Sequence, residues 1–299
     1  MELDIKKLKQ KKSTKELLQF GIINIDKCSG PTSFKVSEFV KKELNLNKTS
    51  HFGTLDPKVT GVLPVGLNRA CKIAGYFSGH DKAYIGIMRI HENISKEKLE
   101  SEIKNFTGKI MQKPPVKSNV KRELREREIK KFKVLEFDEN EKDILFYVEC
   151  QAGTYIRKLI SDLGEKIEGA HMLELRRVKA SIFSEHDENY PLINLYDFQS
   201  AVEEYKKGND KKLRDMIIPA EIITKIYPIV QIKPQFADKM FHGAKLIEDF
   251  LVDKKSLNSL QVGQIICIFS DDNFIEMAKI INEGEILARA EFVLQPLVN

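Results

Sequence analysis

The chain has 299 residues, 42% hydrophobic and 31% charged, with a formal net charge of +5. That composition predicts a globular protein with a full core, one large domain and a smaller one. No apolar run approaches the roughly 18 residues that span a bilayer, and the start lacks the apolar segment of a signal peptide, so a cytoplasmic, membrane-free protein is expected.

Residues 1–20 read as a basic extension carrying Lys6, Lys7, Lys9, Lys11, Lys12 and Lys15. A buried strand follows over 21–26. The turn after it, Lys27 to Ser33, offers Thr32 or Ser33 to cap a helix whose apolar residues are Phe34, Val36, Phe39, Val40 and Leu44. Next comes His51-Phe52-Gly53-Thr54-Leu55-Asp56-Pro57-Lys58-Val59-Thr60-Gly61. One acid sits there between two glycines and beside a proline, where neither a helix nor a strand interior is comfortable. Asp56 either satisfies its own turn, as Asp-Pro and Gly sequences commonly do, or is a carboxylate held for chemistry.

A short apolar strand is predicted over 62–65, then a helix with Ala70, Ile73, Ala74 and Phe77. Over 81–90, Ala83, Ile85 and Ile87 alternate with Tyr84, Gly86 and Met88, the period of a strand. An amphipathic helix is expected over 95–106. Two strands over 129–137 and 142–150 are joined as a hairpin through 138–141. The helix after Gly153-Thr154 places Arg157 in its first turn, where a cation opposes the helix dipole unless an anion is near. A strand over 171–178 follows. Beyond Pro219 the texture changes to short apolar strands over 229–232, 264–269, 275–280 and 288–294, which fits a small β-barrel. The order of elements suggests α+β with a mixed, largely antiparallel sheet.

Cys28, Cys71, Cys150 and Cys267 stand singly, without a Cys-x-x-Cys pair. They read as reduced thiols, three of them small apolar fillers, and not as a zinc ribbon or redox motif. Basic residues gather at the N-terminus, at Lys117, Lys121, Arg122, Arg125, Arg127, Lys130, Lys131 and Lys133, and at Arg176, Arg177 and Lys179. Clusters of this kind suit a phosphate backbone, although Glu123, Glu126 and Glu128 also permit a solvated mixed face.

Asp26-Lys27 with Gly30 and Thr32-Ser33, the stretch His51 to Gly61, Lys82-Ala83-Tyr84, Gly153-Thr154-Tyr155-Ile156-Arg157, and Gly169-Ala170-His171-Met172 with Glu174-Leu175-Arg176-Arg177 form an ordered set. These motifs resemble the TruB family of pseudouridine synthases, in the archaeal and eukaryotic branch that includes dyskerin, with Thr54 in place of the bacterial Ala. The C-terminal segment, with His242-Gly243-Ala244 and Gly263, resembles a PUA domain. Cys28-Ser29, Asn119 and Ala180-Ser181 depart from the family pattern at turns away from the proposed chemistry.

The resemblance implies a basic extension over 1–20 packed on the PUA domain, a catalytic domain over 21–222 and an RNA-binding PUA domain over 226–299. It implies isomerisation of uridine to pseudouridine, in which uracil leaves C1′, turns and rejoins through C5, so that neither cofactor nor metal is demanded. Asp56 is then the carboxylate, Arg157 a buried guanidinium that keeps it ionised, and Tyr84 the ring that stacks on uracil and helps move the C5 proton. Leu175 would wall the uracil, His51 would hold the flipped nucleotide, and Lys27 and Lys82 would bind substrate. Lys121, Arg122 and Arg125, on the family's thumb loop, and His242 and Gly243 would contact RNA. The implied partners are tRNA or rRNA substrates, with a guide RNA and small proteins of an H/ACA ribonucleoprotein. Two other readings compete: a catalytically silent RNA-binding scaffold, and a glycosidase. The intact set of Asp56, Tyr84 and Arg157 speaks against the first, and the lack of a second paired acid against the other.

Overall fold

A computed structural model describes residues 3–114, 121–138, 141–257 and 260–295. The chain divides into two compact units. The first comprises Met1–Ile22, Gly66–Ile73 and Ile217–Asn299, and the second Ile23–Val65 and Ala74–Met216.

The second unit is built on a mixed sheet whose strands run in the order Gly21–Lys27, Thr60–Leu67, Ala170–Ala180, Lys82–Ile90, Asp143–Cys150, Arg125–Glu136 and Gly108–Gln112. Thr60–Leu67 pairs parallel with Ala170–Ala180, and every later neighbour is antiparallel. Strand Thr60–Leu67 is twice the length the apolar run alone suggested, because Gly61 can sit at φ 99° against the neighbouring backbone. A Cβ there would lie 2.2 Å from the Arg177 carbonyl oxygen. Arg125–Glu136 and Asp143–Cys150 form the expected hairpin; Glu139 and Asn140 of its turn lie outside the described residues, as do Lys117 and Asn119.

Helix Ser33–Glu43 is capped by Thr32, whose hydroxyl accepts from the Lys35 amide at 3.1 Å. It buries Val36 and Val40. Phe34 departs from the expected apolar face: it is 66% exposed, because the face the helix buries is that of Ser33, Val36, Ser37 and Val40, and Phe34 lies off it.

In the first unit the lysine-rich start forms two helices, Ile5–Lys11 and Thr14–Gln19. Asp4 caps the first, and Ser13 with Glu16 makes a capping box on the second. Ile5, Leu8, Leu17 and Leu18 turn inward while Lys11 and Lys12 pair with Asp272 and Glu221. The Phe20 ring lies 5.2 Å from Phe274.

The unit's sheet runs Ile229–Gln231, Ile265–Ser270, Asn273–Glu283, Ile286–Val293, Leu246–Ile247. Bonds from the Lys233 amide to the Phe250 carbonyl (2.9 Å) and from Val252 to Gln231 (3.0 Å) tie its two edges, curling it into a half-barrel. The barrel core is Val230, Ile266, Ile268, Ile275, Ala278 and Ala288. Strands Asn273–Glu283 and Ile286–Val293, at 11 and 8 residues, are longer than the apolar runs, since Asn273, Phe274, Glu283 and Ile286 also find ladder partners. Among the described residues no helix is long and apolar enough to cross a membrane.

Candidate active site

The Asp56 loop is pinned from several sides. Phe52 is buried and stacks on Phe77 with ring centroids 5.0 Å apart, and its amide reaches the Pro64 carbonyl at 2.9 Å. The Ser33 hydroxyl brackets Leu55, accepting from its amide at 2.8 Å and donating to its carbonyl at 3.0 Å. The Val59 amide closes a turn on the Asp56 carbonyl at 3.0 Å, and the Gly30 amide holds the Pro57 carbonyl at 2.9 Å. Buried Leu55 and Val59 anchor either side of the carboxylate. A loop held this way loses little freedom when it meets a substrate.

Lys27 completes the frame. Its side chain is fully buried, and its ammonium donates to the carbonyls of Cys28 (2.9 Å), Pro57 (2.8 Å) and Val59 (2.8 Å). An ammonium has three hydrogens, and all are used. Burial lowers its pKa, and the charges of Cys28 and Asp56 push the other way. Lys82 is also buried and donates to the Ser78 and His80 carbonyls at 2.6 Å. Burial, helped by Arg177, brings its pKa down to about 8. Both ammonium groups expected against substrate are thus turned inward, because backbone carbonyls left over at turns need donors.

Arg157 stands in the first turn of helix Ile156–Gly164, whose N-cap Tyr155 makes no side-chain cap. Its guanidinium donates to Asp56 Oδ2 at 2.6 Å, across 101 residues of chain. Asp56 is the anion that makes a cation tolerable at that helix terminus. The pair is not buried as expected: the side chains are 63% and 55% exposed, because Asp56 shares its loop with exposed Pro57 and Lys58 and Arg157 lies off the helix face that buries Ile156, Leu159 and Ile160. The helix start is itself held by a residue that motif reading missed. Gln112, 2% exposed, accepts from the Tyr155 amide at 3.0 Å and donates to the Tyr155 carbonyl at 3.3 Å. Only its burial on an otherwise exposed edge strand marks it, and burial is not written in a sequence.

Tyr84 and Arg177 are cross-strand partners, as are Gly86 and Leu175. Tyr84, Leu175 and Arg177 are all buried, so one face of two strands presents a ring, an aliphatic wall and a cation. Gly86 makes room: a Cβ there would come within 2.9 Å of Leu175 Cδ1. Burial raises the Tyr84 phenol's pKa, Arg177 draws it down, and the Asp56 charge is near enough to raise it. His51, on strand Thr49–His51, is half-buried with Nδ1 unpartnered, and burial holds its imidazole below the usual range.

The outlying residues are in open positions. Lys121 pairs with Glu123, Arg122 donates to the Pro114 carbonyl at 3.3 Å, and Arg125 lies on the hairpin strand. His242 and Gly243 end helix Ala237–Phe241 in the first unit, exposed, with Gly243 at φ 82°. Among the described residues no cluster of His, Cys, Asp and Glu is suited to a metal ion.

The chain matches the model of the TruB family pseudouridylate synthase N-terminal domain over residues 41–156, which holds the Asp56 loop and Tyr84. It matches the tRNA pseudouridylate synthase B C-terminal domain over 157–224, which begins at Arg157. A probable tRNA pseudouridine synthase B of Methanopyrus kandleri is 40% identical over 263 residues, 87% of this chain and 75% of that protein. Its counterpart in Methanocaldococcus jannaschii is 45% identical over 231 residues, 77% of this chain and 67% of that protein. Among solved structures, a chain of a Cbf5-Nop10-Gar1 complex superposes with TM-score 0.86 at 35% identity, covering 96% of this chain and 89% of that one. A chain of an H/ACA ribonucleoprotein bound to a substrate RNA containing 2′-deoxyuridine does so with TM-score 0.84 at 33% identity, covering 96% and 89%. With the framed carboxylate and its arginine in the matched segments, the chain belongs to the TruB family of pseudouridylate synthases.

Proposed function

We propose that this pseudouridine synthase acts on RNA uridines with Asp56 as its catalytic carboxylate. The observation that carries the reading is the Asp56–Arg157 pair, 2.6 Å apart, open to solvent and presented by a loop with almost no freedom. The guanidinium fixes where the carboxylate points, and an oriented carboxylate beside the sugar is what cleavage of the N1–C1′ bond requires. The C1′–C5 bond then forms, the C5 proton leaves and N1 gains one, so the atoms balance without a cofactor.

In this reading Tyr84 stacks on the uracil and helps move the C5 proton, Leu175 walls the ring, and His51 holds the nucleotide out of its stack. Arg157 orients Asp56. Lys27 and Lys82 act through the backbone, as positioning residues. Lys121, Arg122 and Arg125 meet phosphates, with His242 and Gly243 a further RNA contact on a PUA domain over 226–299. The basic extension over 1–20 packs on that domain, and 21–222 carries catalysis.

For substrate and partners, the named relatives support tRNA, and the solved neighbours support a guide RNA with proteins of the kind named in their complexes. The place of action is the cytoplasm. Incubating the full chain with a tRNA transcript, alone and with guide RNA and those proteins, and mapping pseudouridines tests this. Modification of tRNA by the chain alone, and of further RNAs with the guide, is expected. No pseudouridine under either condition would contradict it.

A further inference from the structure

Arg177 is the largest fully buried side chain among the described residues. Among them it makes no ion pair, and its guanidinium is met instead by two carbonyls and a phenol. Nε donates to the Val62 carbonyl at 2.8 Å and Nη2 to the Gly53 carbonyl at 3.1 Å. The Tyr84 phenol, carried by the residue paired across the strands with Arg177, is near enough for the two groups to act on each other's ionisation. A buried cation without a carboxylate is expensive, and a core of ordinary design would place an aliphatic side chain there. The cost is retained where its position is most connected. Arg177 pairs in register with Gly61 on one neighbouring strand and with Tyr84 on the other. Gly53 and Val62 stand on either side of Asp56 in the chain, so Arg177 grips both approaches to the loop with the same planar group that holds Tyr84.

We propose that Arg177 is a positioning residue that couples the Tyr84 phenol to the Asp56 loop, so that ring and carboxylate keep one spacing while the uracil turns between them. The inference rests on the reading of Tyr84 as the group that helps move the C5 proton. Nothing in the geometry needs Arg177 to touch RNA. It acts through Gly53, Val62 and Tyr84. An uncompensated cation beside the phenol also opposes the effect of burial on its ionisation, which suits a group that must accept and release a proton. Lysine could supply the charge but not a planar group that bonds both carbonyls while lying beside the phenol.

The test is a double-mutant cycle on the full chain, with single-turnover release of tritium from C5-labelled uridine in a tRNA transcript as the rate and RNA affinity measured alongside. Tyr84→Phe is expected to slow the rate about 10²-fold. Arg177→Lys should slow it about tenfold or more in the parent, with affinity unchanged within about twofold, and by no more than about twofold in the Tyr84→Phe background. Equal losses from Arg177→Lys in both backgrounds would overturn the coupling and leave the Tyr84 reading standing. An unchanged rate in Tyr84→Phe would remove the Tyr84 reading and the inference with it. Should Arg177→Lys fail to fold, the ¹⁵N–H resonances of the Arg177 guanidinium decide the matter in parent and Tyr84→Phe proteins. The coupling requires them to shift or exchange faster, and identical spectra overturn it.

Discussion

At the scale of single residues, exposure decides what the Asp56–Arg157 pair is for. An ion pair more than half exposed on both sides adds at most about 1 kcal/mol to stability. Arg157→Met should therefore leave the melting temperature within about 2 °C of the parent, while slowing pseudouridine formation about 10²-fold through loss of an oriented charge. A large drop in melting temperature with rate preserved would mark a structural pair instead. The sequence makes both residues visible, because a lone acid among turn residues and a cation in a first helical turn are each locally awkward. It hides Lys27, whose carbonyl partners lie one, 30 and 32 residues away. Nothing local distinguishes a lysine that will be buried under a loop from one that will meet a ligand. Phe34 misled in the opposite direction, since half of the buried face of its helix is serine, Ser33 and Ser37, which hydrophobic periodicity does not mark.

At the scale of elements, the glycines of the catalytic loop have separate jobs. Gly53, at φ 112°, supplies a backbone angle and presents its carbonyl to Arg177. Gly61, at φ 99°, lets two parallel strands approach where a side chain would strike the Arg177 carbonyl. Gly61→Ala must relieve both strain and overlap, so a loss of at least ~2 kcal/mol is expected from the backbone angle and the displaced strand together. Urea unfolding checks it, and a midpoint equal to the parent's would show the approach is not tight. Strand and helix positions were largely legible from periodicity, whereas their ends were not. Thr60–Leu67 adds Thr60 and Gly61 before its apolar run and Gly66 and Leu67 after it, because pairing with neighbours, as of Thr60 and Gly61 with Arg176 and Arg177, sets its length. The N-terminal lysines hid two helices, since their apolar members Ile5, Leu8, Leu17 and Leu18 are too sparse to stand out among the charges.

At the scale of the whole molecule, each unit buries ionisable side chains that make no ion pair among the described residues, Arg177 in the second and Glu276 in the first among them. Glu276, 1% exposed on strand Asn273–Glu283, has its pKa pushed up to about 8 by burial alone, with Oε2 unpartnered. Its folded value lies above the unfolded one of 4.5. Between those values the folded state holds a proton that the unfolded state has released, so stability falls as pH rises from about 4.5 to about 8. Glu276→Gln keeps the shape and abolishes the titration. Thermal melts should show the variant gaining on the parent as pH goes from 5 to 8, by several degrees at the upper end; a constant gap would refute the assignment.

The chemistry turns on Asp56. Asp56→Asn preserves the loop, whose anchors are backbone groups, Ser33 and Lys27, and removes only the charge. The most direct measurement is pseudouridine formation by that variant in single turnover, beside its affinity for the same RNA. No detectable product is expected, with affinity unchanged within about threefold, since phosphate contacts and not the carboxylate carry binding. Product formed at the parent rate would contradict it.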